Sequence, residues 1–341
     1  MTDLIVGGGA VGTFLASALA AGGRDVAIVR RRLDGPPRTA TITLIERDGS
    51  RRTQAVTEIA TPSDLPAPPD LIVFSVKLFD LAEAVASCAA WPHATSLTPL
   101  NGVGAEEIVL DGRPDAGLIA GSLTVALDLQ AGAAVAHLNR GGIGLAAVQG
   151  VVEAEIDGLV AALEAGGLAA SRYGAWRAMK WSKLVANLVG NASSAIVDLP
   201  PEAVYADPAG FEVERRQLLE ILAVMRRLRL APVSLPGVDV RLLAAAVRLP
   251  AAIGRPILRR VVAAGRGGKD PSLRIQARSG PGPSEVGWLN GAVARVATEL
   301  GGEARVNRRL AALVEEVLAD PGRRAWFQGR PDRLAAAVQE A

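Results

Sequence analysis

DLIVGGGAVGTFLASALAAGGRDVAIVR, residues 3–30, is the stretch whose reading decides the fold. Residues 4–6 form a short apolar run that reads as a buried strand. Gly7, Gly9 and Gly12 follow in the spacing GxGxxG. Small residues over 10–21 then read as a helix, ended by Gly22 and Gly23, and 26–29 reads as a second strand. Strand, glycine loop, helix and strand within about thirty residues open a dinucleotide-binding α/β unit. Each glycine has its own reason. Gly7 permits the tight turn, Gly9 lets a pyrophosphate approach the backbone, and Gly12 lets the helix pack on the strand. Gly7, Gly8, Gly9, Ala10, Val11 and Gly12 are therefore candidate cofactor-binding residues, with the first amides of the helix facing phosphate.

The second strand runs into Arg30-Arg31-Arg32, with no acid before Asp34. An acid there would take the ribose 2′-hydroxyl of NAD, whereas a guanidinium pairs with a 2′-phosphate, so the expected cofactor is NADP(H).

Outward from this opening, residues 39–46 and 51–58 alternate around Asp48-Gly49 and read as a hairpin. LIVFSV (71–76) reads as another buried strand ending at Lys77. A helix over 78–90, a strand near 95–100 and the turn NGVG (101–104) follow, with a helix starting at Ala105. Strands at 117–125 and 132–138 and a helix over 151–165 close this half. Lys77 and Asn101 end successive strands at the carboxyl edge, where open sheets bind ligands. Beyond about residue 172 the alternation vanishes and helical periodicity covers 175–198, 202–229, 238–264, 284–300 and 304–318, with breaks at 264–272 and 281–283. The expected architecture is α/β: an N-terminal Rossmann-type doubly wound domain over 1–171, then an all-helical C-terminal domain over 172–341 that carries substrate and catalysis.

The chain has 341 residues, half of them apolar, and a formal charge of +2. That suits two globular domains and gives no pull toward nucleic acid or an anionic membrane. One cysteine, Cys88, allows no disulfide within the chain and fits a reducing cytoplasm. Two histidines cannot complete a Cys/His zinc set, and no short Asp/Glu motif points to a carboxylate-only site, so no metal is expected. No uncharged apolar run is long enough to span a bilayer. Lysine is the outlier: Lys77, Lys180, Lys183 and Lys269 stand against a large arginine excess. A lysine retained where arginine serves as the ordinary surface cation is a candidate for chemistry that needs a releasable proton.

Lys183, Asn187 and Asn191 sit four apart in WSKLVANLVGN (181–191), which on a continuous helix is one polar ribbon among apolar neighbours. Solvent faces elsewhere are written in Arg, Glu and Asp, as in EVERRQ (212–217). A ribbon of amides on an apolar helix implies burial, and buried polar groups need partners that a ligand can supply. Ser272 and Glu285, in the segment 271–302, are expected to complete the site.

GGGAVG, VAIVRR, SVK (75–77), LNGVG (100–104), KWSKLVANLVGN (180–191) and SEVGWLNGAV (284–293) together resemble the ketopantoate reductase (2-dehydropantoate 2-reductase) family. The resemblance covers nearly the whole chain. It implies that Gly7 to Gly12, Arg31, Lys77 and Asn101 hold NADPH, with Asn101 near both nicotinamide and substrate. It further implies that Lys183 is the proton donor, that Asn187, Asn191 and Ser272 bind substrate, and that Glu285 lies at the nicotinamide side as a catalytic partner. The chain departs from the family pattern after Ser272, reading SLRIQA without the usual acid, and at Pro200-Pro201. The implied activity is NADPH-dependent reduction of a 2-oxoacid, ketopantoate foremost, in pantothenate biosynthesis, by a cytoplasmic enzyme and possible homodimer. An opine-type or other hydroxyacid dehydrogenase and a non-catalytic NADP(H)-binding regulator share the layout.

Overall fold

Leu4, Ile5 and Val6 are buried and form β1 (Thr2–Val6), the strand around which the sheet is ordered. The computed structural model describes residues 1–46, 48–130, 134–137, 141–265 and 270–340. Residues 266–269 of the expected 264–272 break, Lys269 among them, lie outside the described residues, as do parts of the expected 132–138 strand. The chain divides into two compact units. One comprises Met1–Leu100, Gly104–Lys180 and Leu235–Gly237. The other comprises Asn101–Val103, Trp181–Ser234 and Val238–Ala341.

The first unit is α/β. After β1 come α1 (Ala10–Ala21), β2 (Asp25–Val29), β3 (Arg38–Ile45), β4 (Arg51–Ile59), β5 (Leu71–Phe74), α2 (Leu81–Ser87), β6 (Thr95–Thr98) and α3 (Ala105–Gly112). Then follow β7 (Leu118–Leu123), β8 (Leu127–Gln130), β9 (Ala134–His137), β10 (Ile143–Gln149), α4 (Glu153–Ala165) and β11 (Ala170–Arg172). The described strands form one sheet in the order β11-β10-β7-β6-β5-β1-β2-β4-β3-β9-β8. Its centre is parallel, with Val6 opposite Val29 on one side and Phe74 on the other. β5 to β7 continue in parallel, and β10 returns antiparallel to β7. The β3–β4 hairpin pairs Ile45 with Arg51, as the Asp48-Gly49 signal predicts.

The central strands are apolar on both faces because helices cover them. Phe14, Leu15 and Leu19 of α1 and Ile156, Leu159 and Leu163 of α4 join strand residues Ile5, Ile28, Val73 and Leu97 in one core. Each such side chain contributes roughly 1.5–3 kcal/mol by leaving water. Arg113, just beyond α3, is also interior. Its guanidinium donates to Ser96 Oγ and to the carbonyls of Cys88, Trp91 and Ala94. Burial pulls its pKa down.

The second unit is helical. α5 (Trp176–Leu188) enters it between Lys180 and Trp181. α6 (Ala192–Val197), α7 (Pro201–Ala206), α8 (Pro208–Arg227), α9 (Val240–Arg248), α10 (Ala251–Gly265) and α11 (Ser272–Ser279) follow. α12 (Asn290–Glu299), α13 (Arg305–Ala319), α14 (Pro321–Phe327) and α15 (Pro331–Gln339) complete it. Every residue of α6 is buried, and it packs against α11, α13, α14 and α15.

Several expected helices are divided, each by a local cause. The 202–229 segment breaks at Asp207, whose extended backbone precedes Pro208 and whose carboxylate caps α8 through Ala209 N and Gly210 N. The 238–264 segment breaks at Leu249, extended before Pro250. The 284–300 segment opens as a 3-10 turn, Glu285–Trp288, before α12. The expected 78–90 helix is a 3-10 turn, Leu78–Asp80, followed by α2. The 71–76 strand stops at Phe74, and Ser75 beside it donates its hydroxyl to the carbonyls of Val6 and Gly7.

Candidate functional site

Gly7 adopts φ +115°, and a Cβ there would lie 2.7 Å from the backbone of Ser75. The first glycine is thus required twice, by conformation and by close approach. Gly12 faces the Gly7 carbonyl and Ser75 Oγ with no room for a methyl group, which seats α1 on the loop. Gly9, the residue preceding α1, is exposed, and a Cβ there would meet nothing within 4 Å among the described residues. Open space over Gly9, beside the first amides of α1, suits a pyrophosphate, so the loop Gly7–Gly12 fits a dinucleotide. Ser75 donates to Gly7 O at 2.8 Å and holds the loop's shape. The sequence reading places it inside the 71–76 strand and gives it no role of its own; the strand's end at Phe74 is what frees it for the loop.

The three arginines after β2 have different fates. Arg30 donates to Gly8 O at 2.6 Å and to Glu58 Oε1 at 3.0 Å, so it braces the loop. Glu58 also takes Arg38 at 3.0 Å. Arg31 extends outward, with a side chain 77% exposed and 3.4 Å from Asp80 Oδ2. Lys77 is exposed and precedes the 3-10 turn Leu78–Asp80, three residues past the strand end.

The short segment Asn101–Val103 belongs to the helical unit. Gly102, at φ +85°, turns it. Asn187 Nδ2 of α5 donates to Asn101 Oδ1 at 3.0 Å. Val103 N donates to Trp288 O at 3.2 Å, joining this segment to the turn that begins at Glu285. Lys183 lies one helical turn before Asn187, and both are half-buried. Glu285 is half-buried as well.

The ribbon is not continuous. α5 ends at Leu188, Gly190 takes φ +59°, and Asn191 stands just before α6. Asn191 therefore does not share a helical face with Lys183 and Asn187. It is 5% exposed, and its Oδ1 accepts from Leu273 N at 3.2 Å, which ties it to the residue after Ser272. Ser272 itself is exposed at the start of α11.

Glu214 of α8 holds the break: the EVERRQ stretch that reads as a solvent face from sequence buries Val213, Glu214 and Gln217. It accepts from Gly190 N at 2.8 Å, Tyr205 Oη at 2.8 Å, Gln217 Nε2 at 2.8 Å and Ser193 Oγ. Full burial pushes its pKa up against these donors. Gln217 Oε1 accepts from Asn290, and Asn290 also reaches Asn307 Oδ1 at 2.9 Å. Asn290, part of the SEVGWLNGAV motif, is thus an interior hydrogen-bonding group. Lys180 is interior too, paired with Glu106 at 3.0 Å. The scarcity of lysine marked it together with Lys183, yet spacing alone did not separate a buried structural ammonium from a half-exposed one.

Burial pushes the Cys88 thiol up, away from nucleophilic character. Among the described residues no group of three or more His, Cys, Asp or Glu side chains could hold a metal ion, and no helix is long and apolar enough to cross a membrane.

Comparison with known proteins assigns both units. Residues 4–150 match the family ketopantoate reductase PanE/ApbA, and residues 175–318 match the C-terminal model of the same family. A 2-dehydropantoate 2-reductase of Halobacterium salinarum is 26% identical over 317 residues, covering 92% of this chain and 98% of that protein. A PanE/ApbA family ketopantoate reductase from Ralstonia eutropha JMP134 superposes with TM-score 0.76 at 24% identity, over 93% of this chain and 98% of its own. D-mandelate dehydrogenase, in a ternary structure with NADH and anilino(oxo)acetate, superposes with TM-score 0.77 at 18% identity, over 98% and 99%. These two structures share the fold.

Proposed function

The chain belongs to the ketopantoate reductase family, and on that premise we propose that it reduces a 2-oxoacid to the 2-hydroxyacid with NADPH, 2-dehydropantoate to pantoate foremost. It is an oxidoreductase acting on a CH–OH group with a nicotinamide cofactor. Reduced nicotinamide, when bound, supplies the hydride. The residues of the chain bind, orient and protonate.

The observation that carries this reading is the division of labour along α5. Lys180 is 1% exposed and its ammonium already has three acceptors, so it is not placed to release a proton. Lys183, half-buried on the same helix, stands one turn before the amide pair Asn187–Asn101. Lys183 supports the negative charge that builds on the carbonyl oxygen and gives that oxygen its proton. Asn101, Asn187, Asn191 and Ser272 bind the hydroxyl and carboxylate ends of the substrate. Glu285 stands at the nicotinamide side, and its turn is tied to the Asn101 segment through Val103 and Trp288. Gly7 to Gly12, Arg31 and Lys77 hold the dinucleotide, with Arg31 on the 2′-phosphate, a role supported by its exposure just past β2.

The test is NADPH consumption across a panel of ketopantoate, other branched 2-oxoacids and an aryl 2-oxoacid, with and without an added amino acid. Ketopantoate should give a kcat/KM of about 10⁴ M⁻¹s⁻¹ or more. Turnover only with an added amino acid would mean an opine-type reaction. Cofactor binding without oxidation on every substrate would mean a regulator.

A further inference from the structure

Lys180 and Glu106 form an ion pair at 3.0 Å with side-chain exposures of 1% and 0%. Lys180 Nζ also donates to the carbonyls of Leu100 at 2.7 Å and Gly121 at 3.3 Å. Glu106 Oε1 accepts in addition from Thr98 Oγ1 at 2.8 Å, while Oε2 has no hydrogen-bond partner among the described residues. A pair this deep is poorly explained by stability. Desolvation offsets much of the attraction in such pairs, and apolar side chains of similar volume often serve a core as well or better. Its placement points elsewhere. Leu100 is the last residue of the α/β unit before Asn101, and Lys180 is the last before Trp181. One ammonium therefore fixes the carbonyl next to Asn101 and anchors the helix that bears Lys183 three residues later. Gly121 on β7 and Glu106 in the first turn of α3 bind that ammonium to the sheet and to a second helix.

We propose that Lys180, held by Glu106, is a positioning residue that fixes where Asn101 and α5 leave the α/β unit, and so sets Asn101 and Lys183 for reaction. The proposal rests on the reductase reading for its kinetic consequence. Its structural consequence, a rigid Leu100–Val103 segment, does not depend on that reading.

The decisive variant is Lys180→Met/Glu106→Leu, which removes both charges together and leaves neither buried alone. Glu106→Gln is a milder companion in case the double variant folds poorly. Wild type and variants are compared by thermal unfolding, by hydrogen exchange of peptides covering residues 99–104, and by steady-state kinetics. In the double variant the expected results are a near-normal Tm, exchange of 99–104 at least about tenfold faster, and a kcat lower by about tenfold or more with KM for NADPH unchanged. Glu106→Gln should move exchange and kcat in the same direction by a smaller factor. Wild-type exchange in both variants would overturn the proposal, as would a kcat that tracks Tm alone. If wild type oxidises no NADPH on any 2-oxoacid, the reductase reading falls, and the exchange measurement still decides whether Lys180 anchors the segment.

Discussion

Asn187 Nδ2 donates to Asn101 Oδ1 at 3.0 Å, joining two residues 86 positions apart, one from the turn after β6 and one from α5. The bond restricts the rotation of both side-chain amides. If the two amides act on substrate as one unit, their effects are not independent. Asn101→Ala and Asn187→Ala should each lower kcat/KM, and a double-mutant cycle should return a coupling of about 0.5–1.5 kcal/mol. Strict additivity would show that the pair does not act together.

Lys183→Arg keeps the charge but supplies protons poorly. Turnover should fall by about 10²–10⁴-fold while NADPH affinity, measured by fluorescence titration, stays near wild type. Near-normal turnover would remove Lys183 from the acid role.

Arg31→Ala should weaken NADPH by roughly 10- to 100-fold and leave NADH nearly unchanged, since only one of the two carries the 2′-phosphate. Arg30→Ala should differ. Arg30 braces Gly8 O and Glu58, so its loss should weaken both cofactors together. Equal loss of both cofactors in Arg31→Ala would contradict the phosphate assignment.

Gly190→Ala combines a left-handed backbone with a Cβ placed 2.6 Å from Pro201 Cβ. The backbone alone costs about 1–2 kcal/mol. Denaturant unfolding should report at least that loss. Because Asn191 follows directly, substrate KM should rise more than NADPH affinity changes.

Glu214 gives a pH signature. Its pKa is raised above the ordinary value of 4.5 by burial, so between these two values the folded state holds more protons than the unfolded. Its contribution to stability is therefore fully present below the ordinary value and is lost as pH rises through the raised one. The midpoint of urea unfolding should fall with rising pH across that window, and the slope should flatten in Glu214→Gln. The same slope in both proteins would assign it to another group.

The glycine loop, the β3–β4 hairpin and the change from alternating to helical periodicity were legible because each is written in contiguous residues. The polar ribbon was misread as one helical face because four-residue spacing persists through Gly190, and a glycine inside a helical pattern does not announce a break. What ends α5 there is remote in sequence: Pro201 fills the space beside Gly190, and Glu214 binds its amide. The Asp207-Pro208 and Leu249-Pro250 breaks were readable from proline and were overrun by the apolar periodicity around them. Lys180 was visible as a rare residue, but its role depends on Glu106 and on two carbonyls from other elements.

Arg113 shows where the arginine excess reaches the interior. Among the described residues its four acceptors are a hydroxyl and three carbonyls, with no carboxylate among them. Acid has nothing there to neutralise, and added salt has no ion pair to screen. The corner formed by residues 88–96 and the end of α3 should thus outlast the carboxylate-dependent parts of the molecule as pH drops, leaving a remnant of order in the acid-unfolded chain.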